Sequence, residues 1–139
     1  MVSIIILSYN TRDLTLSCLR SLQKELKGFD HEVIVVDNAS SDDSSEAIKK
    51  QFPQIKFIQS KKNLGFAAGC NLGAEHAKGE QFLFLNSDVE LFENTPEKLV
   101  RIFTNHADAG IVGGMLQNKD GTLQRSYASF YSLPNVFRM

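Results

Sequence analysis

Cysteine is scarce in this 139-residue chain, which has two, Cys18 and Cys70. At this length, two cysteines argue for free thiols in a reducing compartment and exclude a disulfide scaffold. Charge of one sign is missing as well: 15 basic residues face 16 acidic ones, for a net charge of −1. That balance excludes the electrostatic footprint of a dedicated DNA- or RNA-binding domain. Long apolar runs are absent, and residues 4–7 fall far short of the ~20 that a membrane-spanning helix needs. The N-terminus shows no basic lead, no extended apolar stretch and no small-residue cleavage site, so no signal peptide is expected. Internal repeats, linkers and low-complexity tracts are also lacking. What remains is 42% hydrophobic and 22% charged, the make-up of an ordinary soluble domain. A single domain of this size buries roughly 68% of its unfolded surface. The expectation is one cytosolic domain with no transmembrane segment.

Short apolar runs alternate with longer amphipathic ones, the pattern of βα units. Residues 2–8 are largely apolar and rich in β-branched side chains, as in a strand buried on both faces. The spacing of Leu14, Cys18, Leu19, Leu22 and Leu26 predicts a helix over 11–26, capped by Thr11 or Asp13. A second buried strand is expected at 33–36, then a polar turn and a helix over 43–52 ended by Pro53. A third strand is expected at 55–58, and an Ala/Gly-rich helix over 66–78 stopped by Gly79. A fourth strand, 81–85, runs into Asn86, Ser87 and Asp88. Thr95-Pro96 opens a helix reaching about residue 106. A strand at 111–116 precedes a hairpin-type turn at 118–121. The fold class is therefore α/β, a mostly parallel sheet flanked by helices.

In open parallel sheets, ligands bind beyond the carboxyl ends of the strands. Those ends carry Ser8, Tyr9 and Asn10; Asp37, Asn38 and Ser40; Asn63, Leu64 and Gly65; and Asn86, Ser87 and Asp88. Turns favour such residues one at a time, but four consecutive strand ends delivering them to one edge point to a polar ligand cleft. A dinucleotide-binding domain would need G-x-G-x-x-G after the first strand. The chain has Ser8, Tyr9, Asn10, Thr11 and Arg12 there, with no glycine, so that alternative fails. Gly65, Gly69 and Gly73 lie four apart; close packing on the sheet accounts for Gly73 and Gly69, and Gly65 sits in a loop. His31, His76 and His106 have no metal-ligand spacing. Lys61, Lys62, Arg12 and Arg125 are candidates for phosphate contact, with a solvated surface as the plainer account.

Four stretches, VSIIILSYN, EVIVVDNAS, NLGFAAGCNLGAEHAKG and FLFLNSDVEL, follow one another over residues 2–92. Their order and spacing resemble the family 2 glycosyltransferases, and the rhamnosyltransferase-like branch in particular, where N-x-D replaces D-x-D. The resemblance implies a GT-A-like, Rossmann-related sheet truncated before the acceptor-binding half. It implies a donor-binding domain over 1–125 and the start of an acceptor-side segment at 126–139. It implies a nucleotide-diphosphate sugar as donor and a glycan or lipid-linked glycan as acceptor, at the inner face of the membrane.

Residue by residue, the resemblance gives Tyr9 the stacking contact to the base, worth roughly 1–3 kcal/mol, with Ser8 and Asn10 beside it. Asp37 and Asn38 align with an acidic pair that reads the pyrimidine edge. Asn38 departs from the commoner Asp, and its amide can both donate and accept; UDP and dTDP stay open. Asn63 and Gly65 fall in the ribose–phosphate loop, and Asn71 matches an Asn that orients it. Asp88 is the expected ligand of a Mg²⁺ or Mn²⁺ ion bridging the diphosphate; Asn86 would contact the sugar or ribose, or bind the metal only weakly, and Ser87 belongs to the nucleotide-sugar contacts. No downstream acid matches the family's catalytic base, which is expected beyond Met139. The chain would then bind donor without transferring it. The alternative is a non-catalytic nucleotide-binding or interaction module. Exposed aromatics at Tyr127, Phe130, Tyr131 and Phe137 would favour self-association.

Overall fold

The computed structural model describes residues 1–26, 28 and 30–126. The aromatic positions from Tyr127 onward lie outside the described residues. The chain divides into two compact units, Met1–Lys98 and Leu99–Met139.

The first unit is built on a parallel sheet. Strands β1 (Val2–Ser8), β2 (His31–Asp37), β3 (Lys56–Gln59) and β4 (Gln81–Asn86) line up in the order β3-β2-β1-β4, every pair parallel. Helices α1 (Arg12–Glu25), α2 (Ser44–Gln51) and α3 (Phe66–Glu75) connect them. The doubly buried strands expected for the continuous apolar runs are found: Ile4, Ile6, Ile34, Val35 and Val36 are fully enclosed. Ile5, Ile34 and Val36 form a core cluster with Leu7, Ile58 and Leu72. Helix α3 packs on this face so closely that an added Cβ on Gly73 would lie 2.5 Å from Ile5 Cγ2, and one on Gly69 would collide with Leu7. Helices α1 and α2 pack against each other and bury Leu16, Cys18, Leu19, Leu22, Ala47 and Ile48.

Several local expectations are corrected. Leu14 is half exposed, and Thr15 takes the inward position instead. Thr11 occupies the N-cap of α1 but makes no side-chain cap bond; the free amide of Arg12 goes to Asp42 Oδ2 at 2.9 Å. Helix α3 ends at Glu75 rather than at 78, tightened by His76 N–H to Gly73 O and Ala77 N–H to Ala74 O. Gly79 is therefore no helix stop. Its smallness is required elsewhere, because a Cβ there would stand 2.7 Å from Ser3 N.

Helix α4 (Thr95–Asn105) spans the division between the units. The strand expected over 111–116 does not form. Ile111 is 92% exposed, and an apolar β-branched run becomes a strand only where a neighbour takes up its ladder and one face. Among the described residues after α4, pairing is confined to β5 (Leu116–Gln117) and β6 (Leu123–Gln124), which are antiparallel. The expected turn between them is present. Asn118 N–H donates to Thr122 O, Gly121 N–H donates to Asn118 O, and Gly121 has φ +86°. No helix of the described residues is long and apolar enough to cross a membrane.

Candidate functional site

The strand order reverses beside β1: β2 and β3 lie to one side and β4 to the other. Such a switch point opens a crevice outside the carboxyl ends of the strands. Register sets the polar residues around it, since Ser8 pairs with Asp37 and Leu7 with Asn86. The sequence-predicted groups Ser8, Tyr9, Asn10, Asp37, Asn38, Asn86, Ser87 and Asp88 thus follow three adjacent strands to one edge. Asn63 and Gly65 join them through Asn38.

Hydrogen bonds sort these groups into those already engaged and those still open. Ser8 is fully buried, and its hydroxyl shares a network with Thr15 at 2.9 Å and Thr11 at 3.2 Å. Thr11 continues to Ser87 Oγ at 3.1 Å, tying the loop after β1 to the loop after β4. Asn38 is buried as well. Its Nδ2 donates to Asn63 Oδ1 at 2.9 Å, and its Oδ1 accepts from Leu64 N–H at 2.8 Å. Asn63 Oδ1 also accepts from Gly65 N–H, and Gly65 turns with φ +80°, a region that disfavours a side chain. Asn38 is thereby placed to hold the loop over 63–65. Asp37 is fully buried, and its carboxylate accepts long bonds of 3.3 and 3.4 Å from Ser40 N–H.

Open groups remain. Tyr9 is 48% exposed. Asn71 on α3, Asn86 and Asp88 are exposed, and their side chains make no hydrogen bond among the described residues. Asp88 still acts through its field. Burial pushes the Cys18 thiol up to about 12, and the Asp88 and Glu90 carboxylates add to the rise. Cys18 is accordingly an inert thiol, pointed at Asn86 O. Glu90 accepts from Ser17 on α1.

No group of three His, Cys, Asp or Glu side chains that could cage a metal occurs among the described residues. A lone exposed carboxylate still fits a hard divalent cation of the kind that keeps waters and takes phosphate oxygens from its ligand. A cavity of about 500 Å³ lies at the opposite end of the sheet, lined by Leu22, Leu26, Glu32, Phe52, Ile55 and Lys56. It receives none of these groups.

Sequence reasoning missed Thr11, Thr15, Ser41 and Asp42. The Ser/Thr spacing at 8, 11 and 15 was available as a signal, but only the fold shows that these hydroxyls meet.

The family model for "Glycosyl transferase family 2" matches residues 3–139. The chain belongs to that family. It is 31% identical over 136 residues to the undecaprenyl-phosphate 4-deoxy-4-formamido-L-arabinose transferase of Enterobacter sp. (strain 638), covering 92% of this chain and 40% of that protein. The fold is similar to S. aureus TarS 1-349 in complex with UDP-GlcNAc, with TM-score 0.67, 24% identity, and coverage of 84% of this chain and 38% of that one. It is also similar to the mannosyltransferase PcManGT of Pyrobaculum calidifontis in complex with GDP-Man and Mn²⁺. There the TM-score is 0.67 at 20% identity, covering 84% of this chain and 35% of that one. At these identities the two structures show a shared fold, a mostly parallel sheet flanked by helices as in GT-A glycosyltransferases. The family 2 chain described here spans well under half the length of these relatives.

Proposed function

We propose that residues 1–125 form the donor-binding domain of a family 2 glycosyltransferase and bind a UDP- or dTDP-sugar together with Mg²⁺ or Mn²⁺. The observation that carries this reading is the convergence of exposed Tyr9, buried Asp37 and exposed Asp88 on one crevice at the switch point of a family 2 sheet. Tyr9 offers its ring to the base, and Asp37, which the Ser40 amide engages only at 3.3 and 3.4 Å, accepts from a pyrimidine N–H. Asn38 orders Asn63 and Gly65 for the ribose and phosphates, and Asn71 stands on the helix that follows. Asn86 and Ser87 face the sugar. Asp88 holds the cation with the diphosphate oxygens. When bound, the cation offsets charge on the departing nucleoside diphosphate.

The parent activity is transfer of a hexose or deoxyhexose to a surface glycan or lipid-linked acceptor. The undecaprenyl-phosphate relative supports a lipid-linked one, and the N-x-D at 86–88 supports the rhamnosyltransferase-like branch. Glu90 is engaged by Ser17, and Asp120 by Thr122 in its own hairpin. We assign none of Glu90, Glu93 and Asp120 as the base that removes the acceptor proton, and infer that it lies outside residues 1–139. This chain then binds donor at the cytoplasmic side without transferring sugar.

Calorimetric titration with UDP and dTDP, with and without Mn²⁺, tests the reading on the wild type and Asp88→Ala. Metal-dependent binding lost in the variant is expected. Absence of binding by either nucleotide in folded protein would overturn it, and transfer to a supplied acceptor would overturn the assignment of the base.

A further inference from the structure

The loops that carry Tyr9 and Asp37 are fastened to each other by side chains. The β1–β2 ladder closes where Asn38 N–H donates to Ser8 O at 2.8 Å, and the two helices begin only at Arg12 and Ser44. Between those limits four bonds cross the gap, one of them the Ser41 hydroxyl donating to Asn10 Oδ1 at 3.4 Å. Asn10 N–H donates to Ser40 Oγ at 2.9 Å, Ser41 N–H donates to Asn10 Oδ1 at 2.8 Å, and Arg12 N–H donates to Asp42 Oδ2 at 2.9 Å. The other oxygen of Asp42 accepts from Ser44 N–H at 3.2 Å and from the Ser44 hydroxyl. One carboxylate therefore serves the first turns of both helices.

The backbone is bent to permit this. Asn10, Ala39 and Asp43 all sit at positive φ, 53°, 69° and 58°, a conformation that non-glycine residues keep only where their surroundings hold them. Burial pushes the Asp42 carboxyl up, but the bonds from Ser44 and Arg12 outweigh it and leave the group below its ordinary range.

Asn10 and Ser41 are exposed, so water competes for these bonds and their share of global stability is small. Their effect is local: they remove motion from two loops that would otherwise open on their own. A ligand entering between ordered loops forgoes the cost of ordering them.

We infer that Asn10, Ser40 and Asp42 are positioning residues for the nucleoside, fixing the Tyr9 loop against Asp37 before the base arrives. The inference rests on the nucleotide reading above.

The test is Asn10→Gly, which keeps the positive φ and removes the acceptor for Ser41 N–H, with Asn10→Asp as the conservative variant. Three quantities are read on the full chain. They are affinity for the nucleotide that the wild type prefers, exchange of the Ser41 amide proton, and the urea midpoint. The expected result for Asn10→Gly is affinity weakened about tenfold, Ser41 exchange accelerated, and a midpoint shifted little. Asn10→Asp should restore both affinity and protection. Accelerated exchange with affinity intact would overturn the inference while leaving the nucleotide reading standing. So would a Ser41 amide that exchanges freely in the wild type. Failure of the wild type to take up UDP or dTDP, with Ser41 protected, would instead bring down the nucleotide reading and the positioning role with it.

Discussion

Both ends of the parallel sheet carry buried polar residues, yet spend them differently. At the amino end, Ser3 is fully buried; its hydroxyl donates to Glu32 Oε1 at 2.6 Å and accepts from Gly79 N–H at 2.8 Å. Glu32 Oε1 also accepts from Lys78 N–H. These bonds close on the turn that delivers β4. At the carboxyl end, cross-loop bonds engage Ser8, Asn10, Asn38 and Ser87 but leave Tyr9, Asn86 and Asp88 exposed. A polar cluster that satisfies itself is architecture, whereas one that organises some of its members to present others is a binding edge. The cavity at the amino end does not alter this, because volume without convergent unengaged groups specifies no ligand.

The contrast can be broken most forcefully at Gly79. Gly79→Ala drives a methyl against the Ser3 backbone and should cost about 1–3 kcal/mol, read as a lowered urea midpoint. Nucleotide affinity of the folded fraction should be unchanged. Tyr9→Ala is the mirror image: roughly 1–3 kcal/mol of nucleotide binding is lost, and the urea midpoint stays put. If either variant moved both readouts, the two ends would not be separable.

A smaller effect is expected of Glu32→Gln, about 1 kcal/mol of stability. Burial pushes the Glu32 carboxyl up, but the bonds from Ser3, Lys78 and Gly79, with Lys56 nearby, hold it below its ordinary range. Its folded value is thus lower than its unfolded one. It stabilises the fold above the unfolded value, and that share disappears as pH falls through the folded value. Acid unfolding of Glu32→Gln should be correspondingly shallower.

The smallest predicted signal is at Cys18. Its raised value, about 12, means stability is present at neutral pH and lost as pH climbs through the alkaline range. Alkylation of Cys18 at pH 8 should be negligible until the protein is unfolded.

Much of this was legible in the residues, for physical reasons. The apolar runs of β1 and β2 have one stable destination, so their positions follow from pattern alone. The β4 end was recognisable because Asn86, Ser87 and Asp88 interrupt such a run. The run at 111–116 misled because β-propensity describes fitness for a surface that a neighbouring strand must supply. Gly79 misled because a glycine required by close approach has the same letter as one required by a helix end. Within the site, residue types showed which groups could bind, but not which were already spoken for. Asn38 and Ser8 look as available as Asn86 until the register brings Asn63 and Thr15 beside them.

Strand β4 has a hydrogen-bonded neighbour on one side alone among the described residues. Its outer face bears Phe82 and Phe84, each 49% exposed and packed edge to face at 6.4 Å. An open ladder beside paired aromatic rings is a template on which another extended segment can grow. For anyone handling this polypeptide, concentration and time therefore become variables in their own right. Phe82→Lys would set a charge on that edge, a device by which natural sheets discourage such growth, while leaving the opposite, ligand-facing end of the sheet untouched.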